Sequence, residues 1–382
     1  MTVELFDSYG YDSKGGSFIC NAVRKGLKYE PETRVSIKRN ALYTFLIESG
    51  QETNDINQSP LLYKNNAKNE SGGHDYSKDY LTFEALEDGT FQFTQNALQY
   101  SIDGGNTWTT LSANTASPTI ATGSKIMWKQ TGLTPVSSPY SGGIGTFSST
   151  GNFTVSGNIM SLHYGDNFVG QTDLTGKDYA FYGLFSNSKL INASNLILPA
   201  TTLSTACYEL MFMSCSLLKN VPKSLPATTL ANTCYHGMFY SCTSLEQGPT
   251  VLPGETMKPW CYESMFEECH SLKIAPKIYA KISANRCFNY MFMNCTSLEE
   301  GPDIFLSTLS QLSCKNMFTG CSSLKYIKCL ATDISAENCT RSWVKGVAAN
   351  GTFVKNASMS SWTTGDDGIP SGWTVEDYGN VE

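Results

Sequence analysis

The chain has 382 residues, a net charge of −7, only 16 % charged residues and 12 % aromatic ones. That length suits two or three domains, and the acidic balance argues against nucleic acid as the main partner, which needs clustered cations. Few charges with abundant Gly, Ser, Thr and Asn point to a β-rich extracellular or virion protein and away from a cytosolic helical enzyme.

Residues 1–8, MTVELFDS, begin acidic, and no apolar run of signal-peptide length follows them. No stretch reads as membrane-spanning. The chain is expected either as a mature secreted protein with an added Met or as one made and assembled in a cytoplasm. Lys14, Arg24, Lys25, Lys28, Arg34, Lys38 and Arg39 form a local basic stretch, read as solvated charge rather than a docking surface. VSIKRNALYTFLIESG (35–50) reads as a strand pair, or as a strand with a short helix. YKNNAKNESGGHDYSKD (63–79) reads as a linker. By elimination, residues 1–76 are assigned to an anchor and oligomerisation segment.

Residues 77–173 read as an all-β, sandwich-like domain. Its strands are YLTFEAL (80–86), TFQFT (90–94), LQYSI (98–102), WTTL (108–111), KIMWKQ (125–130) and NFTVSG (152–157). Between two of them, Ser101-Ile102-Asp103-Gly104-Gly105-Asn106-Thr107-Trp108 matches the Asp-box pattern of sialidase propellers. One copy alone reads as a folding device, in which Asp side chains satisfy turn amides. SGNIMSLHYGDNF (156–168) reads as a cap on the repeat that follows, with His163 and Asp166 as structural residues.

The repeat is the strongest signal in the sequence. CYELMFMSCSLL starts at Cys207, CYHGMFYSCTSL at Cys234, CYESMFEECHSL at Cys261 and CFNYMFMNCTSL at Cys287. A fifth copy, CKNMFTGCSSL from Cys314, reads as one residue short before Met317. With Leu184-Phe185 and Trp343-Val344 as weaker copies, the marks fall 27, 27, 27, 26, 26 and 26 residues apart. Such a period signals a solenoid whose units share one core. Positions i, i+4 and i+8 share one stripe of a helix, so each copy is expected to carry a short helix. The resulting core ladder is Cys207, Met211 and Cys215; Cys234, Met238 and Cys242; Cys261, Met265 and Cys269; Cys287, Met291 and Cys295; and Cys314, Met317 and Cys321. Cysteine behaves there as a small apolar group. Disulfides between neighbouring coils stay geometrically open, whereas zinc would need close pairs such as C-x2-C, which the chain lacks.

After each second Cys a strand is expected, with Leu218, Leu245, Leu272, Leu298 and Leu324 inward. The next position alternates in charge, as Lys219, Glu246, Lys273, Glu299 and Lys325. Stacked in register, these make a column of opposite neighbours, and a slip by one coil would juxtapose like charges. Asn220, Gln247 and Tyr326, one position further on, are candidates for a ligand face. Pro222, Pro249, Pro276 and Pro302 end the strands. LPATTL-type segments then lead into the next helix, with Thr and Ser as N-caps. The acidic pairs Glu267-Glu268 and Glu299-Glu300 read as one solvated feature recurring at equivalent turns. Asp366-Asp367-Gly368 reads as a polar turn rather than a calcium site.

The LPATTL…CY..MF..CTSL variant resembles the BspA-like leucine-rich repeats of surface proteins from gut Bacteroidetes and their phages, over roughly residues 174–347. The tail GTFVKNASMSSWTTGDDGIPSGWTVED (351–377) is similar to the closing segment of such proteins. The resemblance implies a right-handed solenoid for adhesion or recognition and carries no catalytic residues, cofactor or metal. The expected fold class is mainly β with short helices: a β-sandwich-like domain followed by a leucine-rich-repeat solenoid over 174–350 and a C-terminal cap over 351–382. The expected role is non-enzymatic, in a phage head or tail fibre or decoration protein. Residues 1–76 would bind capsid or tail proteins, the solenoid a host glycan or protein, and the assembly would be a homo-oligomer, a trimer by preference. A secreted bacterial adhesin and a purely architectural protein are the alternatives.

Overall fold

Residues 17–19, 34–36, 76–130, 145–360 and 362–379 are described by a computed structural model. Strand accounts for 26 % and helix for 3 %, so the fold is mainly β. In the N-terminal unit, β1 (Ser17–Ile19) pairs antiparallel with β2 (Arg34–Ser36). The rest of the expected anchor, most of its basic stretch and the linker up to residue 75 lie outside the described residues.

The second unit runs from His74 onward. Alternating apolar residues there form β3 (Leu81–Ala85), β4 (Phe91–Phe93), β5 (Leu98–Ser101), β6 (Thr109–Leu111), β7 (Lys125–Lys129), β8 (Phe147–Ser149) and β9 (Phe153–Asn158). β10 (Leu190–Ile197) completes a six-stranded sheet of order β10-β9-β3-β7-β5-β6, while β4 and β8 pair separately. The two sheets meet through aromatic rings: Phe83 lies 4.8 Å from Phe147, and Phe91 lies 5.2 Å from Phe153. β10 belongs to the first repeat copy, yet it pairs parallel with β9. The sheet thus runs into the repeats without a break at the border expected at residue 173. α1 (Ser161–Tyr164) packs at that junction, where the His163 ring lies 4.9 Å from Phe181.

The Cys-x3-Met-Phe-x2-Cys segments are not helices. Met211, Met213 and Cys215 donate their amides to the carbonyls three residues back, at 3.4, 3.0 and 3.1 Å. The residues between them, Tyr208, Leu210, Phe212 and Ser214, donate instead to the next copy, at carbonyls of Cys234, His236, Met238 and Tyr240. An α-helix satisfies its amides internally and leaves none for a neighbour. Here every second amide links two copies, as in a sheet, and overlapping turns replace the helix. Every fourth residue is left-handed: Ala206, Leu210 and Ser214 have φ of 55°, 54° and 58°. Side chains therefore repeat every four residues instead of every 3.6, so Cys207, Met211 and Cys215 point inward without drift. The Thr and Ser residues before each segment have no helix to cap.

Aromatic rings stack through the copies in two columns. Phe181, Tyr208, Tyr235, Tyr262 and Phe288 lie 5.5, 5.6, 5.6 and 6.1 Å apart. Phe185, Phe212, Phe239, Phe266, Phe292 and Phe318 lie 5.4 to 5.8 Å apart. The second column starts from the sandwich core, where Phe185 lies 6.0 Å from Phe147. One apolar interior thus serves both parts.

The fifth copy is not short. The Phe288 amide bonds to the Ser313 carbonyl and the Phe292 amide to that of Met317, so the 26-residue offset holds throughout. Ser313 then takes the first-cysteine position, and Cys314 sits in the aromatic column beyond Phe288. The column of rings ends there because a thiol replaces the ring. Further on, β11 (Val251–Leu252) and β12 (Lys277–Ile278) are short parallel partners on the strand side. β13 (Tyr326–Cys329), β14 (Thr352–Asn356) and β15 (Thr374–Tyr378) form the closing parallel sheet.

Candidate functional site

Among the described residues, twelve cysteines are free and buried. The second cysteine of each copy has a defined partner: the Sγ atoms of Cys215, Cys242, Cys269, Cys295 and Cys321 donate to carbonyls of Phe185, Phe212, Phe239, Phe266 and Phe292, at 2.9 to 3.1 Å. A donor must carry its proton, and burial pushes the Cys215 thiol up to about 11 and that of Cys321 to about 12. The first-cysteine column, Cys207, Cys234, Cys261 and Cys287, is fully buried beside Met211, Met238, Met265 and Met291. Burial raises the Cys207 thiol to about 12. None of these sulfurs is poised as a nucleophile, since the reactive form is the thiolate.

The alternating charges lie on the outer strand face. Lys273 pairs with Glu246 at 3.0 Å and Lys325 with Glu299 at 2.6 Å. In both, the lysine side chain bonds to the glutamate of the preceding copy, and its amide bonds to that glutamate's carbonyl. Lys219 donates its amide to Ile191, whose side chain is apolar, and starts the column. Beside it, Asn220 and Gln247 are exposed and Tyr326 is half-buried. Parallel bridges link Asn192 to Asn220, and run from Gln247 through Ile274 and Glu300 to Tyr326.

Glu267-Glu268 and Glu299-Glu300 are not equivalent. Glu268 occupies a left-handed turn position and aligns with Asn294, whereas Glu299 aligns with Lys273 and Lys325 on the strand face. Around the turn side, a column that sequence reading missed brings titratable groups together. His236 Nδ1 lies 2.9 Å from Glu209 Oε1, and Asn289 Nδ2 donates to Glu263 Oε1 at 2.6 Å. Burial alone would lower the His236 pKa, but the Glu209 hydrogen bond and the charges of Glu209, Glu263 and Glu267 raise it. Burial raises both Glu263 and Glu267. Identical spacing, two residues after Cys207, Cys234, Cys261 and Cys287, was the signal available for this column.

In the Asp box, Asp103 accepts from the Asn106 and Thr107 amides, both at 3.0 Å, and from the Thr107 hydroxyl at 2.7 Å. The Thr107 hydroxyl and amide lead in holding its carboxyl far below the usual range. Trp108 donates its indole N–H to Gly105 at 3.1 Å, and its ring lies 4.2 Å from Lys129 Nζ. Lys129 bonds to Asp166 at 2.7 Å, and Tyr80 donates to the same carboxylate at 2.6 Å. This ties the Asp-box hairpin to the turn after α1. His163 faces elsewhere, with Nε2 donating to Ala180 at 3.2 Å, and burial lowers its pKa to about 4. His163 and Asp166 are therefore not an acid–base pair.

Asp367 accepts the Ser342 amide at 2.6 Å, as a turn residue does. Among the described residues, no group of His, Cys, Asp and Glu is arranged to hold a metal ion, and no helix is long and apolar enough to cross a membrane. No protein family, no curated protein and no solved structure matches the chain.

Proposed function

We propose that residues 174–350 are a leucine-rich-repeat solenoid of the BspA-like kind, and that the protein is a non-enzymatic adhesion protein attaching to a host surface. The observation that carries this reading is the contrast between the inside and the outside of the copies. Inside, cysteine, methionine and aromatic residues recur because each copy must pack on the next. Outside, the column Asn192, Asn220, Gln247, Ile274, Glu300, Tyr326 changes chemistry at nearly every step. Folding requires no such variety, whereas recognition uses it, and repeat stacks offer broad surfaces for large ligands.

Within that reading, the protein is a virion fibre or decoration protein of a phage infecting Bacteroidetes. Twelve buried free thiols suit a chain folded in a reducing cytoplasm before assembly. Residues 1–76 serve as the attachment to capsid or tail, and the assembly is a homotrimer. Fluorescently labelled full chain is expected to bind Bacteroidetes cells saturably. Absence of binding to any host cell favours an architectural role. Mass spectrometry of purified particles tests the placement, and failure to find the chain in any virion leaves the secreted bacterial adhesin.

A further inference from the structure

The outer face of the strand side carries large apolar rings that none of the described residues covers fully. Tyr279 and Phe305 are 52 % and 43 % exposed and lie 26 residues apart, so consecutive copies present them at the same position. Tyr378 on β15 is 51 % exposed. Lys328 links the row: its Nζ lies 5.2 Å from the Phe305 ring and 4.6 Å from the Tyr378 ring. Rings left this exposed on one face mark a contact surface more often than chance placement.

Charge decides which partner suits the face. Lys328 is neutralised by Asp303 at 2.9 Å, Lys325 by Glu299 at 2.6 Å and Lys273 by Glu246 at 3.0 Å. These three cations are each matched by a carboxylate, which limits the attraction of their part of the face for an acidic polymer. A protein partner would be expected to meet a patch depleted of charge at its centre. The Lys273–Glu246 and Lys325–Glu299 pairs of this face instead stay more than half exposed. A thin, hydrated, uncharged chain with apolar ring faces and hydroxyl edges satisfies both features. Its rings stack on the aromatic side chains, and its hydroxyls reach the hydrated carboxylates and amides. Copies about 4.8 Å apart also present the same positions at regular steps to a linear polymer.

We propose that the strand face around Tyr279, Phe305 and Tyr378 binds a neutral linear polysaccharide, laid across consecutive copies. The proposal rests on the adhesion reading and names its ligand class. It is tested by affinity electrophoresis of the full chain in native gels cast with dextran, galactomannan or xylan, with polygalacturonate as the acidic comparison. Retardation is expected in at least one neutral gel. The double variant Tyr279→Ala/Phe305→Ala should weaken it about tenfold, with an unchanged melting temperature because both rings lie on the surface. Tyr279→Gln/Phe305→Gln, which keeps bulk and removes the rings, should behave alike. Free migration in all three neutral gels, retardation by polygalacturonate alone, or variants retarded like the parent would overturn the proposal. Host-cell binding measured on the same samples separates the two readings. Binding to cells without retardation rejects the polysaccharide and leaves adhesion standing, and loss of both rejects both.

Discussion

Cys242 donates its thiol proton to the carbonyl of Phe212, 3.1 Å away in the preceding copy. That oxygen already accepts the amide of Cys215 in its own turn, at 3.1 Å. The sulfur therefore fills a small apolar site and also ties two copies together. Ser188, at the same position in the first copy, has a hydroxyl in place of the thiol, 3.5 Å from Cys215 Sγ.

Cys242→Ala removes both the hydrogen bond and the sulfur's volume, whereas Cys242→Ser keeps a donor. The Ala variant is expected to be about 1–2 kcal/mol less stable than the Ser variant. Denaturant unfolding of the two proteins checks this, and equal midpoints would remove the thiol–carbonyl bond from the account.

Buried thiols held as S–H should resist alkylation. With iodoacetamide at mildly alkaline pH, the native chain is expected to label at no more than one of its 13 cysteines, Cys20 being outside the described residues. All 13 should label after denaturation without reductant. Cys339, whose thiol bonds to Ile334 at 3.1 Å near the end of the stack, should be the first described cysteine to react on mild heating. Peptide mapping by mass spectrometry reads both steps, and a disulfide-linked peptide would contradict the arrangement.

The period, the inward Cys-Met-Cys set and the alternating charges were legible in the sequence because each repeats at a fixed offset. The local conformation was not. Residues at i, i+4 and i+8 share a face in an α-helix and equally in turns of four-residue period, so the apolar pattern cannot separate them. The distinguishing mark lies between the apolar residues: Gly183, Gly237, Gly320 and Gly346 fall on the left-handed positions, as do Asn187, Asn294, Asn316 and Asn338. These are the residues that adopt φ > 0 most readily. At Gly237 a Cβ would also meet Leu210 Cδ2 at 2.4 Å. Cys314 misled for a different reason: aligning it with the other first cysteines demanded a gap, whereas the backbone keeps its offset and moves the thiol into the ring column.

His236 gives the turn side a pH dependence. Its folded pKa is raised above 6.5, because the Glu209 bond and neighbouring carboxylates outweigh burial. A raised value means that its stabilisation is complete below the unfolded pKa and is lost as pH rises through the folded one. Glu263 and Glu267, raised above 4.5 by burial, act in the same direction as they ionise. Melting temperature is therefore expected to fall as pH rises above 6.5, the ordinary histidine value. His236→Gln should flatten that slope. A rise over the same range would show that the sign is wrong.

Glu299→Lys places a lysine between Lys273 and Lys325, which stand on either side of it on the strand face. The lost partner is exposed, so screening keeps the effect small. A slight drop in melting temperature is expected at low salt, vanishing at high salt. Adding Lys325→Glu should restore part of it by reversing one pair. No recovery in the double variant would mean that the column does not control register.

Phe239 is the most informative ring to remove. It stacks on Phe212 at 5.4 Å and on Phe266 at 5.5 Å, and its carbonyl accepts the Cys269 thiol. Phe239→Ala leaves a void bounded by two copies and is expected to cost about 3–5 kcal/mol. In a stack held by nearest-neighbour contacts, that loss falls on one junction instead of being shared by all. The variant should therefore open first near that copy, giving earlier proteolytic cleavage between residues 220 and 260 than elsewhere in the repeats. Hydrogen exchange should rise at the amides that join this copy to its neighbours, such as Phe239 N to Met265 O at 3.0 Å. Uniform acceleration along the whole repeat would instead mean that the copies and the sandwich unfold as one unit, which the shared core at Phe147 and Phe185 makes the competing outcome.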